Sequence, residues 1–563
     1  MRMNKPRSSL IILAAGKKVQ DYVTVFNTVP SLIPFNGRPL IYQIILNFIE
    51  KFDGPVFIAL PKGEERIEKF LNGTFAKRAN IVYDYIESAQ PNEQCRTLKS
   101  ILGLMTKFKD CPLPTIIANG DIYFELPECL SIERPTAYVT DYVTNDKYSS
   151  FFKDSFGAHF VEIGAPVGAK EKFIDCGVYS LGNWKNLLEQ DFSNTGSVGK
   201  LFADIYSKDL NLEVISHWAD LGHVGSSAKI STKILGTREF NSIKVNEKKG
   251  LLTKSSTKQF KILQEINYYL KLPKALAIYF PRIYDFDLGR NVSYSIEYYP
   301  YKTLSEYFVM YEIPLETWEV IFRKITNEYQ DFLSFRQSNP SKDSVERIYL
   351  KKLFERMETI PEGSRLSRIL NEDYLIVNGF RYEGWKSFLP LLTSTVEELA
   401  QNPSNTVIHG DLCFSNILYD PPSGVIKFID PRGEFYEEGV YGDYHYDWAK
   451  LLHSVDGGYD FIIHRMYSLN ELNQNSFTFE LFQTENTKKI KTIFISVLNE
   501  LFSNIEIRRL LVLEAMLFLS MLPLHGDDED RQVAFYITAL ETLKKQAQRA
   551  ILIKKSNRTL INF

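Results

Sequence analysis

Short apolar runs alternate with helix-length amphipathic stretches over the first part of the chain. SLIILAA (9–15), GPVFIAL (54–60), ANIVYDYI (79–86) and PTIIANGDIYF (114–124) are the runs, and RPLIYQIILNFIEKF (38–52) is a helical stretch between the first two. Runs apolar on both faces suit strands covered by helices on either side, so residues 1–235 are predicted as an α/β domain. From about Thr237 the texture changes. FNSIKVNEKKGLLTKSS (240–256) reads as two strands around a polar turn, followed by a helix over about Phe260 to Leu270 and more strands to about Tyr301. Beyond Leu304 the period is mainly helical, broken by a strand-like HGDLCFSNILYD (409–420) and, after the Pro421-Pro422-Ser423-Gly424 turn, by VIKFID (425–430). The second domain is therefore predicted over 236–563, with a small β-rich lobe at 236–302 and a large helical lobe at 303–563.

A chain of 563 residues exceeds what one core supports, in keeping with this division. A net charge of −3 provides no broad basic field for nucleic-acid phosphates or an anionic membrane, so neither partner is expected. Five scattered cysteines without a CxxC pair suit a reducing, cytoplasmic compartment. The apolar start, Leu10 to Ala15, is too short for a signal-peptide core and reads as a buried strand. The apolar stretch Leu510 to Leu522 contains Glu514 and falls short of a membrane span, so it is predicted as a buried helix.

The densest chemistry lies in His409-Gly410-Asp411-Leu412-Cys413-Phe414-Ser415-Asn416, followed fourteen residues after Asn416 by Asp430 at the end of an apolar strand. Phosphoryl transfer from ATP needs a carboxylate to orient the acceptor hydroxyl and oxygen ligands to hold Mg²⁺ against the phosphates. Asp411 suits the first task, Asn416 and Asp430 the second. The pattern resembles the HGDxxxxN loop of the aminoglycoside phosphotransferase and choline kinase superfamily, and GDYHYDWAKLLHS (442–454) is similar to its GDPxYDLA segment. The resemblance implies a bilobal protein-kinase-like fold, with Asp447 bracing the catalytic loop. Such a kinase also needs a lysine on the ATP phosphates and a carboxylate to hold it. Lys254 and Glu265 fit in order and spacing, although a strand lysine alone also reads as a surface charge, and Lys244, Lys258 and Lys261 lie nearby. By the same resemblance YSIEYYPYKTL (294–304) is the hinge, where backbone from Glu297 to Tyr299 would meet adenine. Arg432, two residues after Asp430, is left to pair with a phosphate or with Glu434.

In the first domain, Leu13-Ala14-Ala15-Gly16 follows a strand, Pro30-Ser31-Leu32-Ile33-Pro34-Phe35 leads to Gly37-Arg38-Pro39, Asn119-Gly120-Asp121 ends a strand, and His217-Trp218-Ala219-Asp220-Leu221-Gly222 closes the series. A glycine turn admits a nucleotide close to backbone, and two separated aspartates can share Mg²⁺ on a triphosphate. These pieces resemble the sugar-phosphate nucleotidylyltransferases, which implies a Rossmann-like mixed-sheet domain. The resemblance makes Gly16 the nucleotide-loop glycine and Asp121 and Asp220 the metal ligands. After Gly16 the chain reads Lys17-Lys18-Val19, with neither the second glycine nor the arginine of that family's frame, and Ser31 replaces a lysine. Lys17, Lys18 or Arg38 would have to supply the missing charge, without the arginine fork. Residues 89–96 lie where that family reads the base, and equally read as a polar loop before a helix.

The expectation is an α/β protein of two fused domains, a small-molecule kinase using ATP and Mg²⁺ and a nucleotidylyltransferase using CTP or another NTP. Together they would make an activated sugar or amino-alcohol precursor of bacterial surface polysaccharide. The alternatives are a kinase with a non-catalytic binding domain and a non-enzymatic nucleotide sensor. The sequence carries no signal of oligomeric state.

Overall fold

Ser9–Leu13 is buried along its whole length because it runs through the middle of a mixed sheet, parallel to Val56–Pro61 on one side and to Thr115–Asn119 on the other. This computed structural model describes residues 5–15, 19–20, 27–35, 38–75, 78–87, 94–127, 132–140, 148–154, 157–161, 173–192, 195–220, 241–246 and 248–561. The chain divides into two units, Met1–Gly236 and Thr237–Phe563.

In the first unit Ile81–Ile86 extends the parallel part of the sheet beyond Val56–Pro61. On the other side Thr115–Asn119 meets Phe173–Leu181 in the antiparallel sense, and Phe173–Leu181 also pairs with Thr136–Thr140 and Ser150–Asp154. Helix Gln94–Met105 explains how a face is covered. Its Cys95, Leu98, Ile101, Leu102 and Met105 recur at helical spacing and bury against Ile11, Phe57 and Ile117 of the strands. A small separate ladder joins Ile122–Phe124 to Trp218–Asp220.

The second unit begins with a four-stranded antiparallel sheet in the order Asn241–Asn246, Leu251–Ser256, Ser293–Glu297, Ile283–Asp287. Helix Gln259–Lys271 packs on it through Ile262, Glu265, Ile266, Tyr268 and Tyr269. The remainder is built mainly of helices, including Leu315–Ser334, Leu389–Gln401, Tyr444–Val455, Asn504–Met521 and Glu529–Ile561. Asn504–Met521 is buried almost all round, as its apolar stretch predicts. Among the described residues no helix is long and apolar enough to cross a membrane.

Two features depart from the reading of the sequence. Residues 409–416 are not strand: a loop leads to a 3₁₀ turn at Phe414–Asn416, and only Ile417–Asp420 is extended. The amides of His409 and Gly410 are instead taken by the Asp447 carboxylate. A second four-stranded sheet, Phe380–Glu383, Tyr374–Val377, Ser476–Leu481 and Tyr467–Asn473, sits within the helical part. Its first hairpin turns on Asn378 and Gly379, both at positive φ (51° and 79°), the conformation an Asn-Gly pair favours.

Gly433 fixes how the loop after Asp430 meets helix Gln259–Lys271. A Cβ there would stand 1.8 Å from the carbonyl oxygen of Gln264, which as backbone cannot swing aside. Gly433→Ala is expected to destabilise the second unit by about 1–3 kcal/mol, the usual range for overpacking. Gly103→Ala, whose Cβ would meet nothing within 4 Å on a helix, should be neutral or slightly stabilising. Urea denaturation of both variants checks the contrast.

Candidate functional site

A buried carboxylate shapes the loop that carries the densest chemistry. Asp447, on helix Tyr444–Val455, accepts hydrogen bonds from the amides of His409 (2.6 Å) and Gly410 (2.8 Å) and from the Tyr329 hydroxyl (2.9 Å). With its amides so committed the chain cannot enter a sheet ladder and turns through Gly410 at φ 79°. His409 is locked in turn: Nε2–H donates to the Ile429 carbonyl (2.9 Å) and Nδ1 accepts from the Asp411 amide (3.2 Å). That pattern requires a neutral ring. Burial lowers its pKa to about 4 against the opposing pull of Asp411.

The turn presents Asp411 partly exposed, with Lys450 Nζ 2.9 Å from Oδ1. Burial works to raise its pKa, but the Lys450 charge and hydrogen bond outweigh it and hold the carboxyl well below the usual carboxylate range. Asn416 Nδ2 donates to the Asp411 carbonyl (2.8 Å) and to its Oδ2 (3.3 Å). Asp430 follows strand Val425–Phe428 at φ 56°, a left-handed conformation rare for a non-glycine residue.

Lys254 lies on strand Leu251–Ser256 and is almost wholly buried, whereas Lys244 on the partner strand is exposed. Its Nζ is 2.9 Å from Glu265 Oε2 and 2.8 Å from Asp430 Oδ1. Burial acts to lower the lysine's pKa, but Asp430 and Glu265 overcome it and raise the pKa, so the ammonium stays charged. Tyr294 donates to Glu265 Oε2 at 2.7 Å, fixing the carboxylate from behind. Lys261 stands 3.8 Å from Glu265 with over half its side chain exposed. The structure thus brings Lys254, Glu265 and Asp430 into contact, and Asp411 and Asn416 likewise, with His409 bridging loop to strand.

The hinge segment is only partly available. The amides of Glu297 and Tyr298 donate to the carbonyls of Arg282 and Gly250, both at 2.9 Å, and the Tyr299 hydroxyl donates to Glu297 Oε2 at 2.7 Å. Arg432 does not take Glu434 as its partner: its amide donates to the His409 carbonyl (2.8 Å) and its Nη1 lies 3.4 Å from the Tyr446 hydroxyl, while Glu434 accepts from Gln264. Lys450 was missed in the sequence. Its position three residues after Asp447 on one helix, hence on the same face, is the signal that places it at the loop.

In the first unit three separated motifs meet. The Gly120 amide donates to the Leu13 carbonyl (3.0 Å), and a Cβ on Gly120 would stand 2.7–2.8 Å from Ala14 and Ser31. Ser31, in place of the expected lysine, is buried at this junction. Asp220 ends a short ladder opposite Ile122, and Asp121 lies in the turn one residue before Ile122. Trp218 Nε1 donates to the Cys176 carbonyl (2.9 Å), tying that ladder to the main sheet. Arg38 stacks on Tyr42 at 4.5 Å. Gly16 and Lys17 lie outside the described residues, as do Lys18, residues 88–93, Leu221 and Gly222. Among the described residues no group of three or more His, Cys, Asp and Glu side chains is placed to hold a metal ion.

No protein-family model and no curated protein matches the chain. Among solved structures, HddC from Yersinia pseudotuberculosis is similar at 17% identity and a TM-score of 0.32, over 40% of this chain and 98% of that one. The nucleoside-diphosphate-sugar pyrophosphorylase from Vibrio cholerae is similar at 13% identity and 0.33, over 41% and 100%. The inositol-1-phosphate CTP transferase from T. maritima is similar at 16% identity and 0.31, over 41% and 98%.

The Asp447 hub makes a graded prediction. Asp447→Asn turns an amide N–H₂ or a weaker acceptor toward two N–H groups, and should lower stability by about 3 kcal/mol or more. Tyr329→Phe removes one neutral donor and should cost about 1 kcal/mol. Equal losses in urea denaturation would show that Asp447 does not organise the loop.

Proposed function

We propose that the unit Thr237–Phe563 transfers the γ-phosphoryl group of ATP to a hydroxyl of a small molecule, a sugar or amino alcohol in class. In the same proposal the unit Met1–Gly236 joins a phosphorylated product to a nucleotide from CTP or another NTP. Activated precursors of a bacterial surface polysaccharide are the products this pairing suits, and the cytoplasm the compartment. The observation that carries the reading is the double engagement of Lys254, with Glu265 on a helix and Asp430 on the hairpin beside Asp411.

Each group then has a task. Glu265 and Tyr294 hold Lys254 extended, ready to meet the α- and β-phosphates. Asp430 and the carboxamide oxygen of Asn416, which takes no part in the bonds to Asp411, are hard oxygen donors suited to Mg²⁺. Two protein donors suffice where phosphates complete the shell. Mg²⁺, when bound, neutralises charge on the β- and γ-phosphates. Asp411, kept ionised by Lys450, orients the acceptor hydroxyl and takes its proton as the bond to phosphorus forms. Such a low-pKa carboxylate acts by positioning more than by early proton abstraction. The remaining backbone groups of Glu297 to Tyr299 would meet adenine. In the first unit, Asp121 and Asp220 would share a cation on the triphosphate, with Gly16 and Lys17 at the nucleotide loop.

A second reading, in which the first unit binds without catalysing, draws on the buried Ser31 and on Arg38, which is stacked on Tyr42.

Two assays test these readings. With ATP, Mg²⁺ and a panel of hydroxylated acceptors, Asp411→Asn and Asp430→Asn should each reduce acceptor-dependent ADP release at least about a hundredfold while the fold is kept. Near wild-type turnover in either variant would remove the kinase assignment. Pyrophosphate release from an NTP and the phosphorylated product should vanish in Asp121→Asn with ADP release unaffected; no release with any NTP would leave the first unit a binding domain.

A further inference from the structure

Near Asp411 the second unit gathers more positive charge than the neighbouring carboxylates balance. Lys352 and Arg356 stand four residues apart on helix Lys352–Glu358, so they share a face. A π-helical turn at Arg347–Lys351 precedes them, a local widening common at functional sites because it re-aims the residues that follow. Arg356 Nη1 donates to the Ser520 carbonyl of helix Asn504–Met521 (3.0 Å). Arg432 reaches the same region through Tyr446, and Lys450 through Asp411.

Lys352 is the telling member. Its Nζ is buried and has neither a hydrogen-bond partner nor an ion pair among the described residues. Burial, together with Arg432, Arg356 and Lys450, lowers its pKa to about 6, and Glu434 alone opposes them. Arg356 is lowered too, first by burial. A buried cation facing other cations is unfavourable unless an anion joins it. The nearby carboxylates are already engaged: Asp411 by Lys450, and Glu434 by Gln264.

We infer that Lys352, Arg356 and Arg432 form a subsite for an anionic group on the acceptor, a phosphate or a carboxylate, so that the acceptor presents a hydroxyl to Asp411 and its anion to these cations. This rests on the kinase reading for what happens at the hydroxyl. In that step the acceptor oxygen bonds to the γ-phosphorus, the bond from that phosphorus to the β,γ-bridging oxygen breaks, ADP leaves, and the hydroxyl proton passes to Asp411. The product then carries its original anion and a new phosphate ester. Amino alcohols and other cationic acceptors are disfavoured, because the subsite would meet them with like charge.

The test uses the full chain in two measurements. First, binding of inorganic phosphate is followed by calorimetry in the wild type, Lys352→Met, Arg356→Met and Asp430→Asn. The first two substitutions should weaken it at least about tenfold, as expected for losing a charge-assisted contact, and Asp430→Asn should not. Secondly, ADP release is measured with glucose 6-phosphate and ribose 5-phosphate as phosphate arms, glucuronate as the carboxylate arm, glucose and inositol as neutral arms, and choline and ethanolamine as cationic arms. Only anionic arms should turn over. In Lys352→Met the acceptor KM should rise about tenfold with the KM for ATP within about twofold, a split that a merely structural residue would not give. Phosphate binding that depends on Lys352, with no ADP release from any arm, would uphold the subsite and remove the kinase reading. Absent or unaltered phosphate binding, or turnover of neutral or cationic arms indifferent to Lys352→Met, would overturn the subsite. If Lys352→Met does not fold by circular dichroism, Arg432→Met takes its place with the same criteria.

Discussion

The second unit's candidate site depends on one buried carboxylate accepting two consecutive backbone amides. Asp447 takes the N–H groups of His409 and Gly410, and because those groups are then unavailable to any strand, the chain must turn outward and present Asp411. The turn in turn sets His409, whose ring joins the Asp411 amide to the Ile429 carbonyl and so fixes the spacing between Asp411 and Asp430. Tyr268 adds a tie from the sheet-packed helix by donating to the Ile408 carbonyl at 2.9 Å. Asp411 and Asp430 are thus positioned by backbone that Asp447 has redirected, while Glu265 is held by Tyr294 and Lys254.

The charges divide into two groups with different local balance. Around Lys254 the buried ammonium faces two carboxylates, Glu265 and Asp430, with the exposed Lys261 3.8 Å from Glu265. Around Lys352 the cations are in excess. Lys450 keeps Asp411 ionised.

How much of this was legible follows from what the sequence encodes locally. Lys254 and Glu265 were visible because a strand and the helix after it bring fixed positions together, and strand alternation then decides between Lys254, buried, and Lys244, exposed. The Asn378-Gly379 hairpin was equally legible from its dipeptide and was overlooked among helical periodicity. The 409–420 stretch misled because its apolar composition suits a strand, while the feature that prevents one, Asp447, lies on another helix. The Lys352 cluster was beyond reach: its members come from three separate segments, and no spacing rule relates 352 and 356 to 432 and 450.

The cation excess also constrains how Asp411 can work. Lys450 stabilises the ionised form of Asp411, which in the proposed phosphoryl transfer would make it a poor proton acceptor until the hydroxyl has begun to bond to phosphorus. Under the proposed kinase reading, orientation of that hydroxyl would supply more of the rate than proton removal, and orientation is served by a second point of attachment on the acceptor. In the proposed subsite Lys352, Arg356 and Arg432 would supply that point. Lys450, which weakens Asp411 as a base, and the proposed anion subsite of Lys352, Arg356 and Arg432 are thus parts of one cationic region, and the cost of the first would be offset only for an acceptor that carries the anion.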